Sequence, residues 1–297
     1  MGLDLLVFGD TAVDSFYEVD RIPHTDEASE VKCARRFYGG MGANAAVVAN
    51  KLGLKVGLVS VIGTDADDYR AYMEGQGVKL YLKGVFGDTT RSMFYKAGHD
   101  QVSFFYKGVT EMLDDLDPEA EFGRQLPKDV KAVYMARTYL GMQRKVVEAW
   151  ANSIKVYNPG YGIFKFDRIP KTFRTVVAES GVVVVNNHEM NHLHKLGYTL
   201  KPGMGQTVIV TRGEKGASVY ARDTKMDVPA YPAKVVDASG AGDAFNAGFI
   251  AAQLKGYDIY ESVKLGNAAA SFIVEEWGCQ TNLPTWDGVV ERFNKIK

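Results

Sequence analysis

The residues with the clearest chemical content lie together toward the C-terminal end, in the run Asp237-Ala238-Ser239-Gly240-Ala241-Gly242-Asp243. The run leads into an Ala- and Gly-rich stretch, Ala241 to Leu254, with helical character, so its two glycines fall at a loop-to-helix junction. Backbone N–H groups at such a junction have no carbonyl one turn back to bond and point outward. Without a β-carbon, Gly240 and Gly242 let that backbone approach a ligand. The amides of Ala241, Gly242 and Asp243, together with the helix dipole, then stabilise an anion. A carboxylate at Asp243 can accept the proton of an attacking hydroxyl while the amides hold a transferring phosphoryl group. The plainer meaning of the same residues is a tight turn with Asp243 offsetting the helix dipole, and the motif alone does not choose.

A second segment, Gly39-Gly40-Met41-Gly42-Ala43-Asn44-Ala45-Ala46, suits a polyol. Gly39 and Gly40 let the backbone bend close to a sugar, and Asn44 offers a donor and an acceptor to a vicinal diol. Taken alone it also reads as a glycine loop entering a core helix with Asn44 as its cap. In order and spacing the two segments resemble the C- and N-terminal signatures of the ribokinase family of carbohydrate and nucleoside kinases, also called the PfkB family. The resemblance implies an anion hole at Gly240, Ala241 and Gly242, Asp243 as catalytic base, and sugar contacts from Gly39, Gly40 and Asn44. Met41 stands where the family often has lysine, so no charge is implied there.

Further segments extend the resemblance from Asp10 to Pro284. Asp10 and Asp14 follow the first apolar run, where the family uses an aspartate to bind two sugar hydroxyls; Asp14 is the first choice and Asp10 the second. A carboxylate accepts two hydrogen bonds, which fits a cis-diol; a turn residue and a solvated one are the bland reading. Asn186 and Glu189 match an Asn-x-x-Glu motif, implying a nucleotide-side residue at Asn186 and Mg²⁺ held through water at Glu189. The nearby His188, His192 and His194 lack zinc-motif spacing and read as surface residues. Thr211, Gly213 and Gly216 match the family's nucleotide-binding turn, although a hairpin explains the glycines equally well. Asn267 stands where the family contacts adenine. Asp237 and Ser239, with Gly278 and Asn282, resemble a loop pair that encloses a monovalent cation, which implies K⁺.

These residues need a scaffold, and the apolar pattern supplies one. Leu3 to Phe8, Val56 to Ile62, Ala132 to Met135, Ser153 to Tyr157, Gly181 to Val185 and Thr207 to Thr211 read as strands, with amphipathic helical stretches between most of them. Such alternation implies a mostly parallel sheet flanked by helices, a three-layer α/β body, and ligands at the carboxyl ends of its strands. Ser15 to Asp20, Glu30 to Tyr38, Leu80 to Val85, Arg91 to Ala97 and Val102 to Tyr106 read as strands of a small extra sheet, with Gly98-His99-Asp100 as a hairpin turn. A lid from segments 12–38 and 80–108 over a single kinase domain, 1–297, is the expected organisation. The resemblance adds a homodimer formed through the lid.

Composition narrows the rest. The 297 residues, 46% hydrophobic and 24% charged, suit an ordinary globular core. A formal net charge of -1 provides no field for nucleic acid or an anionic membrane. Cys33 and Cys279 have no cysteine nearby, which fits a reducing cytoplasm, and no apolar segment approaches a bilayer span. A Gly-x-x-x-x-Gly-Lys-Ser/Thr run and an early Gly-x-Gly-x-x-Gly are both absent, against P-loop and dinucleotide folds. The expected function is ATP-dependent phosphorylation of the hydroxymethyl group of a sugar or nucleoside, with a ribosyl acceptor favoured. Aromatics in the lid, Phe16, Tyr17, Phe37, Phe94, Phe104, Phe105 and Tyr106, tilt the choice toward a nucleoside, although covering the sheet explains them too. A ketose, 2-keto-3-deoxygluconate, a phosphorylated sugar held by Arg35, Arg36, Arg91 or Arg137, and a catalytically silent sensor stand as alternatives. An intact Asp243 opposes the last.

Overall fold

The computed structural model describes residues 2–98, 100–222 and 224–295. The first part of the chain forms β1 (Leu5–Phe8), β2 (Ala12–Val19), β3 (Val31–Gly39), α1 (Met41–Lys51), β4 (Val56–Gly63), α2 (Asp67–Gly75), β5 (Lys79–Val85), β6 (Thr90–Ala97) and β7 (Asp100–Tyr106). The middle forms α3 (Pro118–Phe122), β8 (Ala132–Ala136), α4 (Leu140–Ala149), β9 (Ile154–Asn158), α5 (Lys171–Glu179), β10 (Val182–Asn186) and α6 (Asn187–Lys195). The last part forms β11 (Thr207–Thr211), β12 (Ala217–Ala221), β13 (Thr224–Val228), α7 (Ala241–Leu254), α8 (Ile259–Ile273) and α9 (Trp286–Asn294).

The large sheet has the order β13-β12-β11-β10-β9-β8-β1-β4-β5. It is parallel from β5 to β11 and antiparallel at β12 and β13. Leu5 and Val7 pack into one core with residues of α1, α7 and α8, while Leu6 and Phe8 pack into another with α4 and α5. Both faces of β1 are therefore covered, which is why it reads as a continuous apolar run. The carboxyl ends of the parallel strands lead to Asp10, Arg137, Asn186 and Thr211, so the polar edge of the sheet gathers most of the candidate residues. No helix among the described residues is long and apolar enough to cross a membrane.

The second sheet has the order β3-β2-β6-β7. Its register places Phe37, Asp14, Ser92 and Phe105 side by side in one row. Phe16 and Phe94 sit opposite each other two residues further along, hence on the same face, and stack with ring centroids 4.5 Å apart. One expectation changes here. The segment expected to supply a lid strand at Leu80 to Val85 lies in the large sheet, paired parallel to β4 from Lys79 to Val85. Helix α2 returns it beside β4 in a crossover, and as the edge strand it is half covered, which gives it the mixed pattern of an exposed sheet. The small sheet thus uses residues 12–39 and 90–106. His99, the middle of the expected hairpin turn, lies outside the described residues, and β6 and β7 pair up to Ala97 and Asp100 on either side of it.

Candidate active site

Helix α7 starts where the glycine run predicts. Gly240 is its N-cap in the left-handed region, with φ of 76°, and a β-carbon there would sit 2.7 Å from that of Cys279. Both conditions select glycine. The Ala241 N–H donates to the Ala238 carbonyl at 3.3 Å, so the outward amides of this turn are those of Gly242 and Asp243. Gly242 is exposed and a β-carbon on it would meet open space, which leaves room for a phosphoryl group over the helix end.

Asp243, in the first turn of α7, is buried, and the Asn44 amide N–H donates to its Oδ2 at 2.8 Å. Burial pushes its carboxyl well above the usual range; the Asn44 bond pulls it down, Asp10 and Asp14 add repulsion, and Arg137 opposes them. Asn44 is in turn engaged on its other side, where Oδ1 accepts from Gln280 Nε2 at 2.8 Å. The residue expected to bind a sugar diol is therefore tied first to Asp243.

Asp14 sits on the inner row of the small sheet, 3% exposed, and its Oδ1 has no hydrogen-bond partner among the described residues. A buried, unpaired carboxylate oxygen costs free energy unless a ligand supplies the donor. Burial pushes this carboxyl up to about 7, the Ser92 hydroxyl pulls it down, and Asp10 adds repulsion. The Cys279 thiol donates to Oδ2 at 3.9 Å. Gly39 closes over the carboxylate, since a β-carbon there would lie 1.9 Å from Asp14 Oδ2. Gly39→Ala accordingly forces Asp14 aside. The expected result is an acceptor KM raised by about tenfold or more with the KM for ATP within about twofold, measured by steady-state kinetics.

Asp10 is committed elsewhere. It is 1% exposed, pairs with Arg137 at 2.5 Å, and its other oxygen accepts from the Gly42 N–H at 3.4 Å. Arg137, at the end of β8, takes a φ of 65°, held there by its N–H on the Asn158 carbonyl and by Gln143 on its own carbonyl. The other arginines weighed for a second phosphate also have partners: Arg36 pairs with Asp68, Arg91 with Asp65, and Arg35 lies over the Trp277 ring.

The nucleotide-side candidates line the neighbouring strand ends. Asn186 and Thr211 are register partners on β10 and β11. Asn186 caps α6, with Glu189 completing a capping box in which its carboxylate accepts from the Asn186 N–H and Nδ2, each at 2.9 Å. Burial pushes the Glu189 carboxyl up to about 7, against the pull of that backbone bond. The histidines read as surface residues divide: His188 and His194 are exposed, while His192 is half-buried against Phe164. Gly213 is exposed with open space at its α-carbon, whereas Gly216 is buried and a β-carbon there would meet the Val228 carbonyl. Asn267 donates to the Pro229 carbonyl at 2.9 Å, fixing the loop after β13. Asp237 clasps two loops, accepting from the Ser239 N–H at 3.0 Å and the Gly278 N–H at 3.2 Å, while Asn282 turns away to the Phe272 carbonyl.

The structure thus brings Asp243, Asn44, Asp14, Gly39 and Asp10 into one cluster, and Arg137, Cys279 and Gln280 join it. Sequence reasoning weighed Arg137 only for a phosphate and passed over roles for the other two, because an uncharged amide and a solitary thiol in a loop carry no spacing signal. Among the described residues no group of three or more His, Cys, Asp or Glu side chains is placed to hold a metal.

The sequence profile of the pfkB family carbohydrate kinases matches residues 3–286. A nucleoside kinase of Methanocaldococcus jannaschii is 32% identical over 297 residues, 97% of this chain and 95% of that protein. A nucleoside kinase of Methanothermobacter thermautotrophicus is 31% identical, covering 98% and 95%. The crystal structure of the M. jannaschii enzyme, described as an archaeal member of the ribokinase family, superposes with a TM-score of 0.87 over 99% of both chains. A Burkholderia thailandensis nucleoside kinase in complex with inosine shares the fold at a TM-score of 0.84 over 98% of both chains and 24% identity.

Proposed function

The chain belongs to the pfkB family of carbohydrate kinases, phosphotransferases acting on a hydroxyl group, and from that premise we propose that it is a nucleoside kinase, transferring the γ-phosphoryl group of ATP to the primary hydroxyl of the ribosyl group. The observation that carries this reading is the pairing of two buried carboxylates, Asp243 behind the α7 N-terminus and Asp14 with an unpartnered oxygen. One is placed to take a proton and the other to accept from a sugar hydroxyl. The choice of a nucleoside rests on the row that Asp14 belongs to. Ser92 and then Phe105 follow it across the small sheet, and the Phe105 ring lies 5.7 Å from that of Tyr161 on the body. Both rings are partly exposed, a wall against which a base can lie once the sugar is on Asp14.

In the proposed reaction Asp243 accepts the hydroxyl proton as the oxygen attacks in line, and the Gly242 and Asp243 amides hold the phosphoryl oxygens. The small sheet acts as a lid that excludes water, which would otherwise compete as acceptor. Magnesium fits as an ion carried in on the nucleotide. Glu189 has both oxygens in its capping box and would face it through water, consistent with a cation that keeps most of its hydration. When bound, it neutralises phosphate charge. Thr211 and Gly213 would lie along the triphosphate, with Asn186 beside them. A potassium ion near the Asp237 clasp, a lid-to-lid dimer and a cytoplasmic setting complete the proposal.

An ADP-release assay with ATP and Mg²⁺ tests it, using inosine, adenosine, guanosine and cytidine beside ribose, fructose and 2-keto-3-deoxygluconate, in K⁺ or choline buffer. Turnover of nucleosides with kcat/KM at least about tenfold above that of free ribose supports the reading. Preference for a free sugar or sugar acid overturns the nucleoside, and binding of a nucleoside without turnover makes the protein a sensor.

A further inference from the structure

Asn44 and Gln280 form a short amide chain that ends on the base, and its polarity decides what the base meets. Asn44 carries two chemically opposite ends, and either can face Asp243 after a rotation about one bond. An N–H against the carboxylate stabilises its charged form; a carbonyl there repels it. In the structure the N–H faces Asp243, and the carbonyl is taken by Gln280 Nε2, both bonds being 2.8 Å long and buried. Gln280 is 6% exposed in the loop between α8 and α9, and its Oε1 has no partner among the described residues, so its donor end is committed to Asn44 while its acceptor end is not.

We propose that Gln280 is a positioning residue for the base: by occupying the Asn44 carbonyl, it keeps an N–H rather than a carbonyl against Asp243. The inference rests on Asp243 being the base in the function proposed above, and adds a residue that acts on it through Asn44. Loss of the Gln280 donor frees Asn44 to turn over, and the charged form of Asp243 loses the hydrogen bond from Asn44 for part of the time. The other charged or titratable groups around Asp243 are Asp10 after β1, Asp14 on β2, Tyr134 on β8, Arg137 after β8 and Cys279 beside Gln280. None of them is altered by the substitution.

The test is a cycle of Gln280→Met, which keeps the length of the side chain without donor or charge, Asn44→Ala, and the double variant. Two readouts are taken on the full chain: the acidic limb of the kcat profile, and the titration of Asp243 followed by ¹³C NMR without substrates. Gln280→Met is expected to lower kcat about tenfold with both KM values within about twofold, and to move both midpoints up by about half a pH unit. In the Asn44→Ala background the same substitution is expected to move neither. An unmoved carboxyl midpoint, or an equal shift with and without Asn44, overturns the proposal. The NMR titration decides this even if no acceptor is phosphorylated, so failure of the functional reading stays separate. Should Gln280→Met not fold, Gln280→Leu, which also lacks donor and charge, serves in the same cycle with the same expectations: a raised midpoint when Asn44 is present and none in the Asn44→Ala background.

Discussion

Asp243→Asn is expected to lower kcat by about 10³- to 10⁴-fold, the usual contribution of a positioned general base. Both KM values and the folded structure should persist, because the asparagine carbonyl can still accept from Asn44 Nδ2, the bond that holds this side chain. The pH dependence of the unsubstituted enzyme carries the same information. Burial raises the Asp243 carboxyl well above its ordinary value, so protonation silences the base at a pH where a surface aspartate is still charged. The rate therefore falls with acidification along a limb that lies above the ordinary carboxylate midpoint of about 4, nearer to neutrality, where general-base efficiency is greatest. Rapid-quench single-turnover measurements across pH check both statements. Retention of more than about a tenth of the wild-type rate removes Asp243 from the reaction.

Asp14→Asn should have the opposite effects on activity and stability. The lost charged acceptor raises the acceptor KM by about 100-fold, the range of a hydrogen bond to an ionised group. Stability moves the other way at alkaline pH. Asp14 has a folded-state pKa of about 7, above its unfolded value, so its contribution favours the fold below about pH 4 and is lost as pH rises through about 7. At pH 8 the folded state carries a buried charge that costs on the order of 4 kcal/mol before relaxation, and asparagine removes it. The variant should melt roughly 5 °C higher than wild type at pH 8 and within about a degree of it at pH 4. Glu189, also raised to about 7, adds to the alkaline destabilisation of both proteins and so cancels in the comparison. Differential scanning calorimetry at the two pH values decides; a lower Tm for the variant at pH 8 would show that Asp14 is tied down by partners in the free enzyme.

What could be read from the sequence, and what could not, divides on distance along the chain. Asp243 was legible as a candidate because the glycines that open its helix lie immediately before it, and the entry to α7 follows from the same glycines. Strand β1 was legible from four consecutive apolar residues, and the parallel body from their repetition. Strand β5 was misplaced because an edge strand of a large sheet and a strand of a small one show the same half-covered alternation. Gln280 drew no role of its own, since its partner Asn44 is 236 positions away and neither amide bears a charge that periodicity could reveal. Asp10 looked like a substrate ligand for a related reason: its countercharge, Arg137, is 127 positions downstream.

The same separations have a consequence for biosynthesis. The bond between Asn44 and Asp243 spans 199 residues and the contact between Asp14 and Cys279 spans 265. On a ribosome adding about 5–20 residues per second, Asp14 and Asn44 emerge many seconds before Asp243 and Cys279. An incomplete chain that has folded its first sheet strands therefore carries Asp14 and Asn44 without Asp243, and under the proposed mechanism it can at most sequester an acceptor. If Asp243 is the base proposed above, no product of this chain ending before residue 243 can spend nucleotide.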